Sequence, residues 1–429
     1  MQDGLDEWIA VQEKRSIAAL EQAISATSLT RRREEFSQVI VPTTGSVLAS
    51  PQIANWDPKP DYFFHWLRDS AIVMGCVAGL MGDATGVERA RWRRHFDDFV
   101  GFSLRLSAID GTSVDYRGAT ERGFRKFLRP RSEIVALSGD KLLGEPRFNP
   151  DGTVDIFRWS RPQYDGPALR ALACLRHLAS GGAPSEDIVR LVRLDLSFTL
   201  RHAGEACIGP WEEPGQNARH YYVGVVQLGA LVHGRAWAGE AEGEWETAER
   251  ELRVALDRHW SESRHIYLAR QPAPANAGDT LDAAALLGVW DADLPDGPHS
   301  IADPRVQQTL ATIEGYFARE FPINCGREAP LLGRYRGDRY FGGGAWYPTT
   351  LAAAGLHYRR AQRGGPHRTA ELASGDAMMN AIRSVTPPDG ALSEQVDRAT
   401  GAQTSARHLT WSYAAFIAAA RARARAVGN

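Results

Sequence analysis

Apolar residues recur along this chain mainly at intervals of three and four, the spacing that lines one face of a helix. Between Glu13 and Ile24 that face carries Ile17, Leu20 and Ile24. An apolar run from Ala71 to Met81 predicts a helix with Asp69 or Ser70 at its N-cap, and a second helix spans about Val87 to Leu106. Asp165-Gly166-Pro167 opens a run bearing Leu169, Leu172 and Leu175; Pro184-Ser185 opens another with Ile188, Leu191, Leu194 and Phe198. Tyr221 to Ala238 is apolar almost throughout, which predicts a helix buried on every side. Asp303 reads as a cap with Pro304 at the first helical position, ahead of a stripe of Val306, Leu310, Ile313 and Phe317. Further helices are expected over Trp346 to Arg363, Thr369 to Val385 and Arg407 to Ala426. No sustained period-2 alternation argues for a sheet. The pattern as a whole predicts about twelve helices joined by alternately short and long loops.

Two stretches interrupt the helical period. Ser25 to Pro60 is rich in Thr, Ser and Pro, while Asp110 to Thr153 is long, polar and dense in Gly, Pro and Arg. A loop of that length inside a compact domain is often functional. Neither reads as a linker, and there is no short repeat or low-complexity tract, so residues 1–429 are expected to form one domain. Of the 429 residues 43% are hydrophobic and 24% charged, which is ample for a core. A net charge of -2 and a pI near 6.7 give no field to recruit nucleic acid or an anionic membrane. The basic runs Arg31 to Arg33 and Arg91 to Arg94 are expected on solvated helix or loop faces. Cys76, Cys174, Cys207 and Cys325 include no C-x-x-C pair and no compact Cys/His cluster for zinc. Cys76 and Cys174 lie in apolar helical runs, where a buried reduced thiol is the default. No stretch reaches the ~18 apolar residues of a membrane span, and no basic segment followed by an apolar one opens the chain. The expectation is a soluble, cytoplasmic protein, or a periplasmic or secreted one if a leader has been removed.

The candidate chemistry sits in loops. Gly209-Pro210-Trp211-Glu212-Glu213-Pro214-Gly215 sets two adjacent carboxylates behind an indole, with a proline on each side. Adjacent residues do not share a helix face, and the prolines disfavour a helix interior. A shaped loop is expected, although for the stretch taken alone a solvated acidic turn is the favoured reading, because loops are usually exposed. A second acid, Glu394, stands in Gly390 to Asp397, after the turn signal Pro387-Pro388-Asp389; a surface loop is the plain alternative there. Two carboxylates on separate loops of a helical scaffold suit glycoside hydrolysis. One is protonated to donate to the leaving oxygen and the other ionised to activate water, at roughly 6.5–9.5 Å in inverting enzymes and about 5 Å in retaining ones. Trp66, Trp159, Trp211, Trp346 and Trp411 accompany the acids. An indole offers a flat apolar face and one donor to a pyranose, though each Trp taken singly is more often a core residue. Arg68-Asp69 sets donor beside acceptor, which suits vicinal hydroxyls; a helix cap with a local ion pair accounts for it too. In Arg161 to Pro167, Asp165 is open to reading as a cap. Gly333 to Tyr347 is rich in glycine, but lacks the Gly-Lys-Ser/Thr that a phosphate loop needs.

Taken in order from about Leu5 to Ala424, these stretches resemble glycoside hydrolase family 15, and within it the fungal glucoamylase catalytic domain. The resemblance rests on Pro60 to Phe63 through Trp66, Arg68-Asp69-Ser70, Leu143 to Pro146 with Phe148-Asn149, and Arg161-Pro162-Gln163 with Asp165 to Arg170. It continues in Trp211-Glu212-Glu213, Gly333-Arg334-Tyr335, Trp346-Tyr347, Ser393-Glu394-Gln395, and Ser405-Ala406-Arg407 with Leu409 to Ala414. It implies an all-α (α/α)6 barrel with long active-site loops. It also implies an inverting, exo-acting hydrolase that releases β-glucose from non-reducing ends of α-1,4-gluco-oligosaccharides or α-glucans. By the matching motifs Glu212 is implied as general acid and Glu394 as general base. Glu213 is implied beyond the cleaved bond, Arg68 and Asp69 on the terminal glucose, and Tyr62 and Trp411 as walls of its pocket. Trp159 would border the acid, Arg334 would bind the reducing-side sugar, and Ser405 would hydrogen-bond the base. Trp66, Trp211 and Trp346 fall in matched motifs and join the implied substrate site. A general acid needs an apolar setting or a neighbouring negative charge, which Trp211, Trp159 and Glu213 are placed to supply. The resemblance implies no metal, no organic cofactor and no obligate protein partner.

The chain also departs from the fungal pattern. Tyr164 stands where a basic residue is usual, Arg336-Gly337 replaces a Pro-acid pair, Leu67 replaces a small polar residue, and Asp110 to Leu137 reads as an insertion. No starch-binding domain and no N-terminal β-sandwich is expected. Most departures touch the expected reducing-side subsites, so an α-1,6 or trehalose preference stays open beside α-1,4. A non-catalytic carbohydrate sensor and a helical scaffold for protein partners are the alternatives of other classes. The retained acids and the Arg68-Asp69 pair argue against both.

Overall fold

The computed structural model describes residues 2–54, 59–116, 118–239, 242–272 and 281–428. Among these residues, twelve α-helices have nine residues or more: Gln2–Ala23, Leu67–Asp83, Gly86–Ser107, Asp165–Ala179, Glu186–Arg201, Tyr221–His233, Glu242–Asp257, Ala284–Ala292, Pro304–Glu320, Tyr347–Gln362, Arg368–Val385 and Thr410–Gly428. The strands are two or three residues long, as the lack of alternation predicts. Burial alternates along the chain. Leu67–Asp83, Asp165–Ala179, Tyr221–His233, Ala284–Ala292, Tyr347–Gln362 and Thr410–Gly428 are buried over most of their residues. The helix that follows each of the first five, and Gln2–Ala23, buries one stripe and exposes the rest. That is the pattern of alternating inner and outer helices.

Two compact units divide the chain. In the unit made of Gln22–Ala218 and Ala230–Glu249, the Leu67–Asp83 helix packs against Asp165–Ala179 and Gly86–Ser107, and Glu186–Arg201 packs against both of these. Ser185 caps the last of these helices, its side chain accepting from the Ile188 amide at 3.3 Å. In the unit made of Met1–Glu21, Arg219–Gly229 and Arg250–Asn429, Tyr347–Gln362 packs on Arg368–Val385, Thr410–Gly428 and Ala284–Ala292. Close approach explains Gly355 mid-helix, since a Cβ there would sit 2.4 Å from the Trp290 ring. Asp303 caps Pro304–Glu320 as expected, accepting from the Arg305 amide at 2.8 Å, with Val306, Leu310, Ile313 and Phe317 all buried.

Several expectations are corrected. The first helix begins at Gln2, and its buried stripe is Leu5, Ile9, Gln12, Ser16, Leu20 and Ala23. Gln12 is buried because its amide donates to the Gly390 carbonyl at 2.9 Å. Neither Asp69 nor Ser70 is a cap: the helix starts at Leu67, so Arg68 and Asp69 lie in its first turn. Asp165 is likewise the first helical residue and not a cap. Arg33 is not solvated; it is buried, bonded to Asp61 at 2.9 Å and to Asn149 at 3.0 Å, over the Phe64 ring. Cys174 is buried and reduced as expected, but Cys76 is only half-buried. The Asp110 to Thr153 stretch is not an open loop. Its Leu137, Leu142 and Phe148 join Val154, Leu67, Phe102 and Leu106 in one apolar cluster.

Candidate active site

The Glu212-Glu213 pair lies between two turns, the first closed by the Glu212 amide on the Gly209 carbonyl at 3.1 Å, and Glu212 adopts a left-handed backbone with φ 59°. For a residue with a Cβ that region is sparsely populated, and such strain gathers at functional sites. Four N–H groups converge on the Glu212 carboxylate. Oε1 accepts from Trp66 Nε1 at 2.8 Å, Gln163 Nε2 at 2.9 Å and Arg68 Nη2 at 3.1 Å. Oε2 accepts from Trp159 Nε1 at 2.6 Å. Each donor is placed by a different local device. Trp66 ends the strand His65–Trp66, paired to Arg147–Phe148 with Trp66 opposite Arg147. Arg68 stands in the helical turn that follows and also donates from Nη1 to Gln163 at 3.1 Å and to Asp165 at 3.2 Å. The Gln163 loop is held by its own amide on the Gly144 carbonyl at 3.0 Å and by the Ile208 amide on the Pro162 carbonyl at 2.8 Å.

Asp69 is buried beside Arg68, at 3.6 Å from Nε. Burial pushes its carboxyl up to about 6; the Arg68 charge opposes this, while Glu212 and Asp165 add to it. Burial also raises Asp165 against the pull of Arg68. Tyr62 is half-buried with its ring 5.2 Å from that of Trp66. Behind both indoles lies Arg147, fully buried, its guanidinium 3.6 Å from the Trp159 ring centre and 4.8 Å from that of Trp66. Asp155 accepts from Arg147 Nε at 2.9 Å and from Arg161 at 3.0 Å. Trp211 and Glu213 are half-buried, and Glu213 accepts from Gln216.

The second acid is built by a three-stranded sheet in which Gln395–Val396 lies between Ala345–Trp346 and Gln403–Thr404. That pairing sets Glu394 beside Ser405. The Glu394 amide bonds the Ala406 carbonyl at 2.8 Å, and the Ser405 hydroxyl donates to Glu394 Oε2. Ser405, like Glu212, has a left-handed backbone, with φ 62°. Glu394 is 3% exposed, so this hydroxyl meets a carboxylate shielded from water. Arg334 is buried and grips Asp338 through Nε at 2.7 Å and Nη2 at 2.5 Å, with the Trp346 ring centre 5.3 Å away. Burial works against its charge, but the Asp338 pair outweighs it and the guanidinium is held above its ordinary value. Trp411 is buried in the first turn of Thr410–Gly428, next to Ser412, whose hydroxyl donates to the Ser393 carbonyl at 2.8 Å.

The expected residues thus fall into two groups. Tyr62, Trp66, Arg68, Asp69, Trp159, Trp211, Glu212 and Glu213 belong to one compact unit; Arg334, Trp346, Glu394, Ser405 and Trp411 belong to the other. Sequence reading passed over three contributors: Gln163 as a direct donor to Glu212, Asp165 as the second anchor of Arg68, and Arg147 under the indoles. Gln163 and Asp165 stood inside a matched motif, which was the available signal. Arg147 stood between matched residues and gave none.

Comparison with known proteins gives the class first. The fold matches the solved glucoamylase of Hormoconis resinae with a TM-score of 0.78 at 25% identity, covering 98% of this chain and 74% of that one. It matches the Saccharomycopsis fibuligera glucoamylase with a TM-score of 0.75 at 22% identity, covering 99% and 96%. The fold class is therefore the expected all-α (α/α)6 class of glycoside hydrolases. The sequence is 28% identical to Glucoamylase-1 of Schizophyllum commune over 90% of this chain and 69% of that protein. It is 26% identical to a probable glucoamylase of Schizosaccharomyces pombe over 87% and 83%. The family model for glycosyl hydrolases family 15 matches residues 35–421, and the chain belongs to that family. It is a glycoside hydrolase of α-glucosides.

Proposed function

We propose that this enzyme is an inverting, exo-acting hydrolase that releases β-glucose from the non-reducing ends of α-1,4-gluco-oligosaccharides or α-glucans. Glu212 serves as general acid and Glu394 as general base. The observation that carries the reading is the asymmetric donor set on Glu212. Oε1 is occupied by three N–H groups, so Oε2, beside the Trp159 indole, is the oxygen left to exchange a proton with the glycosidic oxygen. Donation from Oε2 to the glycosidic oxygen leaves a carboxylate that the same four donors already stabilise. Glu394 takes the proton of the attacking water, with the Ser405 hydroxyl donating to its Oε2 and orienting it. Arg68 and Asp69 supply donor and acceptor to the terminal glucose, with Tyr62 as a wall of its pocket. Arg334, fixed on Asp338, serves the reducing-side sugar.

Proton NMR of the first anomer released from maltose, isomaltose and trehalose tests the reading. β-Glucose first, with maltose fastest, is the expected result. Glu212→Gln should lose about 10²- to 10⁴-fold in rate. α-Glucose as the first product would exclude the two-acid assignment, and isomaltose or trehalose as the fastest substrate would reassign the linkage.

A further inference from the structure

One cavity is lined both by the Asp110 to Leu137 stretch and by Tyr164. That stretch supplies Arg129, Glu133 and Ala136 to its wall, and Tyr164 lines the same space. The cavity has a volume of about 510 Å³, within the range of small-molecule sites, ~300–1,000 Å³. None of the candidate site residues named above lines it.

Its lining says what it would hold. Arg129, Lys141 and Arg161 are balanced by Glu133, Asp140 and Glu145. The buried Glu145 accepts from Arg129 at 2.9 and 3.1 Å and from Arg161 at 2.7 Å, so the deepest charges are already neutralised. His202 is likewise flanked by Asp140 at 3.1 Å and Glu205 at 2.7 Å. Such a wall offers donors and acceptors side by side without a net field for an anion or a cation. Hydroxyl groups, each donor and acceptor at once, match it. Tyr164 adds a flat ring, half-buried and stacked on His202 with centres 4.6 Å apart. From these features we infer that the cavity is a second saccharide-binding site, for a neutral gluco-oligosaccharide, separate from the site of hydrolysis.

The site is wired to the acid loop. Arg161 holds the carbonyls of Phe157 at 3.2 Å and Trp159 at 3.1 Å, and the lining residues Gly144 and Pro162 hold the Gln163 loop. Trp159 and Gln163 are two of the four donors to Glu212, so sugar in the cavity touches the backbone that positions them.

The inference rests on the α-glucan reading, and its test separates the two. Glu212→Gln is titrated with maltotriose by isothermal calorimetry. Two sites are expected, and adding Tyr164→Ala should weaken one by roughly tenfold while sparing the other. Ala136→Trp, which fills the cavity from its exposed rim, should abolish the same site. A single site in Glu212→Gln, while the wild-type enzyme still hydrolyses maltose, overturns the second site alone. No maltose hydrolysis by the wild type overturns the reading beneath it. Crystals of Glu212→Gln soaked in maltotriose decide the matter without a cavity variant. Sugar against Tyr164 supports the site, and sugar at Glu212 with an empty cavity rejects it.

Discussion

At the scale of single residues, binding chemistry and burial cost meet at Asp69. Its carboxyl is raised from the ordinary 3.8 to about 6, first by burial and against the Arg68 charge. Between those values the folded chain keeps a proton that the unfolded chain has lost, so ionising Asp69 takes stability away as pH rises through that window, and the loss persists above it. Asp69→Asn removes this cost, and Arg68 keeps Asp165 as a partner at 3.2 Å. The variant should therefore gain about 1–3 kcal/mol at pH 7.5 and nothing at pH 3.5. It should lose roughly 10- to 100-fold in kcat/KM, because a charged acceptor for sugar hydroxyls is gone. Thermal melts at the two pH values check the first part, and equal gains at both would reject it. Arg147 shows what sequence cannot convey at this scale. Its role exists only because residues 64, 66, 155 and 159 converge on it, and no spacing along the chain encodes that convergence. Glu212 and Glu394 stand out as candidates in the sequence because their neighbours, Trp211 and Glu213 for one and Gln395 for the other, are part of the same motif.

At the scale of elements, the small sheet at Glu394 is the least legible part and the one on which the proposed base depends. Strands of two residues have no periodicity to detect. Gly344 marks the close approach that holds them: its amide donates to the Gln395 side chain at 3.1 Å, and a Cβ would lie 2.2 Å from the Val396 carbonyl. Gly344→Ala must push Ala345–Trp346 away from Gln395–Val396 and shift Glu394 with it. A displacement of about 1 Å costs on the order of 10²-fold in rate, so kcat should fall by that order while the far-UV circular dichroism of the helices is unchanged. Wild-type turnover in this variant would show that the sheet does not position the base. Helices were read more reliably where a cap and a stripe agree, as at Ser185 and at Asp303-Pro304. The first helix was cut short because Gln12 and Ser16 occupy its buried stripe, and hydrogen bonds, not apolarity, bury them. Glu242–Asp257 and Ala284–Ala292 were not singled out. The first is polar over most of its length, burying chiefly Trp245, Leu252 and Leu256, and the second is nine residues long and apolar without a stripe.

At the scale of the whole molecule, buried histidines shifted in opposite directions contribute opposing pH dependences to stability. Burial pushes His65 down to about 3, helped by the Arg170 charge, and pushes His259 and His299 each down to about 4. These groups are neutral in the folded chain, so the stability they permit is lost as pH falls from 6.5 through those values. His357 runs the other way. It is buried, which disfavours its charge, but Glu371 at 2.7 Å and Glu314 at 2.8 Å outweigh burial and raise it to about 9. Its contribution is complete below 6.5 and is lost as pH rises through 9. The contributions of these four groups overlap near neutral pH and fall away on each side. His357→Gln separates the two limbs, since Arg360 still pairs with Glu371 at 2.8 Å and keeps that carboxylate compensated. The variant should melt well below the wild type at pH 6, converge on it by pH 10, and fall in parallel with it below pH 5. Melting curves across pH 3.5–10 make the comparison. A gap of constant size from pH 6 to pH 10 would mean that His357 contributes by packing and not by charge, and would remove the alkaline limb from its account.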